Sequence, residues 1–164
     1  MPTLTIRIKK NSDGTAALSC QRADGSVTWQ RHTTRNGTFF TLHDLTHYAV
    51  ETQLGFRHAF FGLLAAGWDI SDFEAPGARD RLPPEALQVE LIVGLLDTER
   101  ADGACWTASQ FHEQMAAYCA SHNIDAGAGL SLTDQQLEAV RQERARLFAQ
   151  WADLPAGATM ELEF

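Results

Sequence analysis

Apolar and polar residues alternate at both ends of the chain, and this constrains the fold more than anything between them. Leu4, Ile6 and Ile8 interleave with Thr5, Arg7 and Lys9, and Met160, Leu162 and Phe164 interleave with Glu161 and Glu163. A period of two sends successive side chains to opposite faces of a strand. Both ends are therefore expected to be strands with one buried face, the last rejoining a sheet that the first begins. After Asn11-Ser12-Asp13-Gly14 a second alternating run carries Leu18 and Cys20, and Ala23-Asp24-Gly25 reads as a hairpin turn into Val27-Thr28-Trp29. Asn36-Gly37 closes this antiparallel meander.

The middle of the chain changes to helical spacing. Phe40-Thr41-x-x-Asp44-Leu45, Trp106-Thr107-x-x-Gln110-Phe111 and Leu132-Thr133-x-x-Gln136-Leu137 share one pattern: an apolar residue, a threonine cap, an acceptor three residues later and another apolar residue. This is a capping box with a hydrophobic staple, and it marks three helix starts. The first helix is expected over about 42–54, with a break at Gly55 and a second apolar helix over 56–68. Residues 69–83 read as a long loop. Pro83-Pro84 opens a helix that is apolar almost all round and is therefore expected to be the central buried helix, with Glu90 as an acid embedded in it. A last helix, 134–151, is expected to bury Leu137, Val140, Leu147, Phe148 and Trp151 and to display Arg141, Arg144 and Arg146. The fold class that follows is α+β: a small, mostly antiparallel sheet of three N-terminal strands plus a C-terminal strand, packed against four or five helices. With 164 residues and 45% hydrophobic content, one domain over 1–164 has enough core to fold without a disulfide or a structural metal.

Composition narrows the function classes. A formal net charge of −8 disfavours nucleic acid and anionic membrane as partners, since both would repel the average surface. The apolar stretch 59–68 is too short to span a bilayer, which takes about 20 residues. Cys20, Cys105 and Cys119 stand at unrelated spacings and the first residues do not read as a signal peptide, so reduced thiols in a cytoplasmic protein are expected. Cys20 shares its strand parity with Leu18 and reads as a core thiol.

The chemistry concentrates in Leu42-His43-Asp44-Leu45-Thr46-His47-Tyr48-Ala49-Val50-Glu51. On a helix His43 and His47 lie one turn apart on one face, a spacing at which two imidazoles can grip one divalent metal ion, zinc above others. Asp44 and Glu51 are the candidate catalytic carboxylates. Glu51 stands about 12 Å along the axis from His43 and is turned by about 80°, so it suits orienting His47 or acting as a base beside the site rather than ligating. Asp44 competes between catalysis and capping with Thr41. Glu90 is the first choice for a third ligand because it interrupts an apolar helix; its alternative is an ion pair with an arginine of 79–81. His58 and His32 are further choices. His112, Cys119 and His122 share a later helix face, where Cys119 is expected to pack and His122 to cap.

The run from Phe39 to Asp69, above all His43-Asp44-Leu45-Thr46-His47 with Val50-Glu51 and Phe61-Gly62, resembles a family of small bacterial proteins for which no activity is established. At the level of the motif, His43-x-x-x-His47 is similar to the zinc-protease helix His-Glu-x-x-His, one subclass of which takes a glutamate from a later helix as third ligand. That resemblance implies Glu90 in this role. Asp44 stands where those helices have glutamate, and Val50 and Gln53 stand where the three-histidine subclass has glycine and histidine.

Three functions are compatible with these residues. The first is a divalent-metal protein, and with it a metal-dependent hydrolase acting on a small molecule or peptide. The second is a metal-free module whose histidine-rich cleft and 69–83 loop hold a small anionic or polar ligand. The third is an interaction protein, a homo-oligomer included, that uses Trp29 and Trp106.

Overall fold

The structure is a computed structural model and describes residues 4–32, 37–127 and 129–164. Strands β1 (Leu4–Lys10), β2 (Ala16–Arg22) and β3 (Val27–His32) form the expected meander, and β4 (Thr159–Glu163) returns to the free edge of β1, giving the order β3-β2-β1-β4. All pairings are antiparallel, with Ile6 opposite both Cys20 and Leu162, and Ile8 opposite both Leu18 and Met160. These side chains form one buried face, and Thr5, Arg7 and Glu161 occupy the other. Gly25, at φ 86°, supplies the left-handed residue that the β2–β3 turn needs. Cys20 is fully buried and burial pushes its thiol up to about 12, in keeping with a core role.

The helices are α1 (Gly37–Leu54), α2 (Phe60–Ala65), α3 (Ala78–Arg81), α4 (Pro84–Ala101), α5 (Ala108–His122) and α6 (Asp134–Asp153). α1 lies against α4 and α6, and α2 against β1 and β2, so one hydrophobic cluster runs from the sheet through α1 to α4 and α6. Thr107 and Thr133 cap α5 and α6 with Gln110 and Gln136 in reciprocal boxes, as the spacing implies. None of the described helices is long and apolar enough to cross a membrane.

Several boundaries differ from the sequence reading. α1 begins at Gly37, so Thr41 and Asp44 lie within the helix and form no cap there; Asn36 lies outside the described residues. Phe39 and Phe40 extend the helix backwards, stacking on His43 and His32. The second helix is confined to Phe60–Ala65: the Phe61 and Gly62 amides donate to the Glu51 carboxylate rather than to carbonyls four residues back, so they belong to the first turn. Residues 69–83 are not an open loop: a 3₁₀ turn, Ile70–Phe73, and the single turn of α3 occupy them.

The arginines of α6 also behave differently. Only Arg146 is displayed; Arg144 is buried and donates to the Leu96 carbonyl at 3.1 Å, and Arg141 pairs with Glu99. The buried acid of α4 is thus Glu99, not Glu90. It accepts from Arg141 Nε and Nη2 at 2.9 and 2.6 Å and from the Trp106 amide at 2.8 Å, as a fully buried carboxylate must.

Candidate metal centre

α1 and α4 cross with their chain directions opposed, as two contacts show: His43 meets Asp97 and, one turn further along α1, His47 meets Glu90. On α4 those acids are seven residues apart, two turns on one helix face. The rings of His43 and His47 are 4.9 Å apart, centroid to centroid, with planes at 71°. Ligand atoms of His43, His47 and Glu90 all lie within 4.8 Å of one another, a group that could hold a metal ion.

Each imidazole has a carboxylate behind it. His43 Nδ1 stands 3.2 Å from Asp97 Oδ2, and His47 Nδ1 stands 3.5 Å from Glu51 Oε1. A carboxylate at Nδ1 favours the proton there and leaves Nε2 as the metal-binding nitrogen. For His47 that nitrogen faces Glu90 Oε1 at 3.2 Å. At 3.5 Å the Glu51 contact is electrostatic and not a formed hydrogen bond, so among the described residues His47 Nδ1 is a buried side-chain nitrogen with no hydrogen-bond partner.

Depth grades the site from floor to mouth. Glu51 is fully buried and His47 is 3% exposed, whereas His43 is partly open and the Glu90 side chain is 50% exposed. The expectation that Glu90 is buried is therefore corrected: it sits on the open side of α4 and reaches in to His47. Its carboxyl is held below the usual range. Partial burial acts against that shift, but the hydrogen bond and charge of His47, with His43 and Arg79, outweigh it. Burial alone would lower the His47 pKa, yet the Glu51 and Glu90 carboxylates on either side raise it to about 10.

Glu51 has a second task. Its Oε2 accepts from the Phe61 and Gly62 amides at 3.0 and 3.2 Å, so it caps the first turn of α2 from inside the core. Gly62 is required there, because a Cβ at that position would run into the Arg57 carbonyl. α2, Glu51 and His47 are thereby linked, and Phe60 at the head of α2 packs on the His47 ring at 5.6 Å.

The remaining candidates lie elsewhere. Asp44 Oδ2 faces His32 Nε2 at 3.1 Å, and His32 stacks on Phe40, in a separate hollow near Phe60 and Phe73. His58 is 69% exposed beside Glu85. His112 bonds with the Leu132 backbone and His122 with the Tyr118 carbonyl, so neither joins the group. Nothing local in the sequence points to Asp97. Its spacing of seven residues from Glu90 was the available signal, usable only once α1 and α4 are known to face each other. Comparison with protein-family models, with curated proteins and with solved structures returns no match.

Proposed function

We propose that the protein binds a divalent metal ion, zinc by preference, through His43, His47 and Glu90, and that it is a metal-dependent hydrolase of a small molecule or peptide. The observation that carries this reading is the convergence of the three ligand atoms within 4.8 Å, with Asp97 and Glu51 behind the two imidazoles. Two imidazoles and one carboxylate are a donor set of catalytic zinc, which keeps a further position for water or substrate. Zinc–ligand distances of about 2.1 Å put tetrahedral ligand atoms about 3.4 Å apart, so an ion draws the group in by about an ångström. The half-exposed Glu90 is placed to make that adjustment.

Bound there, the ion supplies Lewis acidity and brings the pKa of a water toward neutrality. The residues divide the supporting work. Asp97, hydrogen-bonded to His43 Nδ1, and Glu51, whose charge lies beside His47 Nδ1, favour the tautomers that leave Nε2 for the ion, and the burial of His47 anchors the floor. Asp44 is not assigned the part of a base at the metal, because its carboxylate is turned to His32.

A second reading has an observation of its own. Flanked by Glu51 and Glu90, His47 as an imidazolium makes a metal-free ionic cluster that ties α1 to α4. Elemental analysis of protein purified without added metal separates the two. The metal reading expects close to one equivalent of zinc, lost in Glu90→Ala and in His43→Ala. Both side chains are partly open, so these variants are expected to keep the wild-type circular dichroism. Protein that arrives metal-free and takes up no zinc on titration overturns the proposal.

A further inference from the structure

Glu90 belongs to two places at once. It is the outermost member of the metal group, and it lines a cleft of about 370 Å³ between α4 and α5, within the size range of small-molecule sites. The cleft follows α4 from Leu87 to Thr98, a distance of about 16 Å at the helical rise. Its two ends differ. Arg79 and Glu90 mark one; beyond them Leu91, Leu95 and Ile124 with the ring of Tyr118 make an apolar stretch, and Thr98 lies at the far end.

The floor is Gly94. A glycine in a helix interior costs about 1 kcal/mol relative to alanine. Gly94 has no conformational need to offset that cost: it lies outside the positive-φ set, and a Cβ built on it meets nothing within 4 Å. The missing side chain leaves helix backbone bare at the centre of the cleft, where a ligand can lie against it. Among the described residues no hydrogen bond or ion pair engages the Arg79 guanidinium, whose field reaches Glu90. With an ion on Glu90 the head of the cleft would carry net positive charge, since the acid is then neutralised and Arg79 is not.

We propose that this cleft is the acyl site of the metal centre: it takes the unbranched apolar acyl chain of an ester or amide, and when water adds across the acyl bond and the alcohol or amine leaves, it holds the carboxylate product. The carboxylate pairs with Arg79 beside the metal, and the tail lies along Gly94 toward Tyr118. This rests on the metal reading. The test uses octanoate, with octylammonium as the same tail of opposite charge, titrated calorimetrically into zinc-loaded wild type, Arg79→Met and Gly94→Leu. Zinc affinity is measured separately for each.

Octanoate is expected to bind wild type saturably and octylammonium not to bind. Arg79→Met weakens octanoate by about tenfold, the order of one lost charge-assisted contact. Gly94→Leu abolishes binding by filling the cleft, and neither substitution weakens zinc. Zinc binding without octanoate binding, octanoate binding unchanged in Gly94→Leu, or equal binding of the two amphiphiles overturns the inference and leaves the metal reading standing. Failure of wild type to bind zinc instead overturns the metal reading and takes this inference with it.

Discussion

Glu51 serves the fold and the site through different atoms, and Glu51→Gln separates the two. The carboxylate receives the Phe61 and Gly62 amides in the core and stands 3.5 Å from His47 Nδ1. Glu51→Ala strips both amides of their acceptor; at about 1–3 kcal/mol for each buried donor left unsatisfied, the loss is on the order of 2–6 kcal/mol. That is a large share of the 5–15 kcal/mol typical of a folded domain. In Glu51→Gln the amide oxygen can still take the two N–H groups, which directs its NH₂ at His47. An NH₂ there requires an unprotonated Nδ1, so the neutral ring carries its proton on Nε2, the nitrogen needed by the metal. The glutamine variant is therefore expected to lose only about 1 kcal/mol while its zinc affinity falls about 10- to 100-fold, the usual cost of removing a carboxylate behind a metal-bound histidine. Urea denaturation gives the first quantity and competition with a chromophoric chelator gives the second. Zinc binding unchanged in Glu51→Gln, or an alanine variant as stable as the glutamine one, refutes the reasoning.

Gly62→Ala should destabilise by about 2 kcal/mol or more, since its Cβ collides with the Arg57 carbonyl, a rigid backbone atom; a melting temperature equal to wild type would show that the α1–α2 corner is free to shift. Glu99→Ala leaves Arg141 and the Trp106 amide without their shared acceptor and should cost on the order of 3–5 kcal/mol in urea denaturation. The pH dependence of metal-free protein follows from His47, whose folded pKa of about 10 exceeds its unfolded value of about 6.5. The stability it contributes is complete below about pH 6.5 and is lost as pH rises toward 10. Zinc must displace that proton, so apparent zinc affinity should rise by up to about tenfold per pH unit over the same range. Glu90→Gln should flatten the stability profile, and a wild-type profile as flat as that of the variant would contradict the assignment.

How far the chain could be read depended on whether a feature is local. Period-two alternation set which strand residues are buried, and the structure pairs Ile6 with Cys20 and Ile8 with Met160 on that face. The threonine caps at 107 and 133 were equally local. The same pattern at Thr41 misled, because an apolar residue, a threonine and an acid at that spacing also fit a helix interior, and α1 had already begun. The sequence points to Glu90 for an incomplete reason. A helix apolar nearly all round suggested burial, but positions 87, 90 and 94 face the cleft, so the acid meets water as well as His47. Asp97 and Glu99 gain their meaning from other helices, and nothing within α4 announces which acid meets His43 and which meets Arg141. Long cationic chains are ambiguous in the same way: periodicity displays Arg144 at the surface, while its side chain is buried and its tip donates to the Leu96 carbonyl.

Zinc K-edge X-ray absorption on the loaded protein tests the metal centre most directly. Two imidazoles and oxygen ligands at about 2.0–2.1 Å are expected, with one imidazole lost in His43→Ala. Sulfur scattering at about 2.3 Å, or a spectrum that His43→Ala leaves unchanged, would place the ion elsewhere and contradict the assignment of His43, His47 and Glu90.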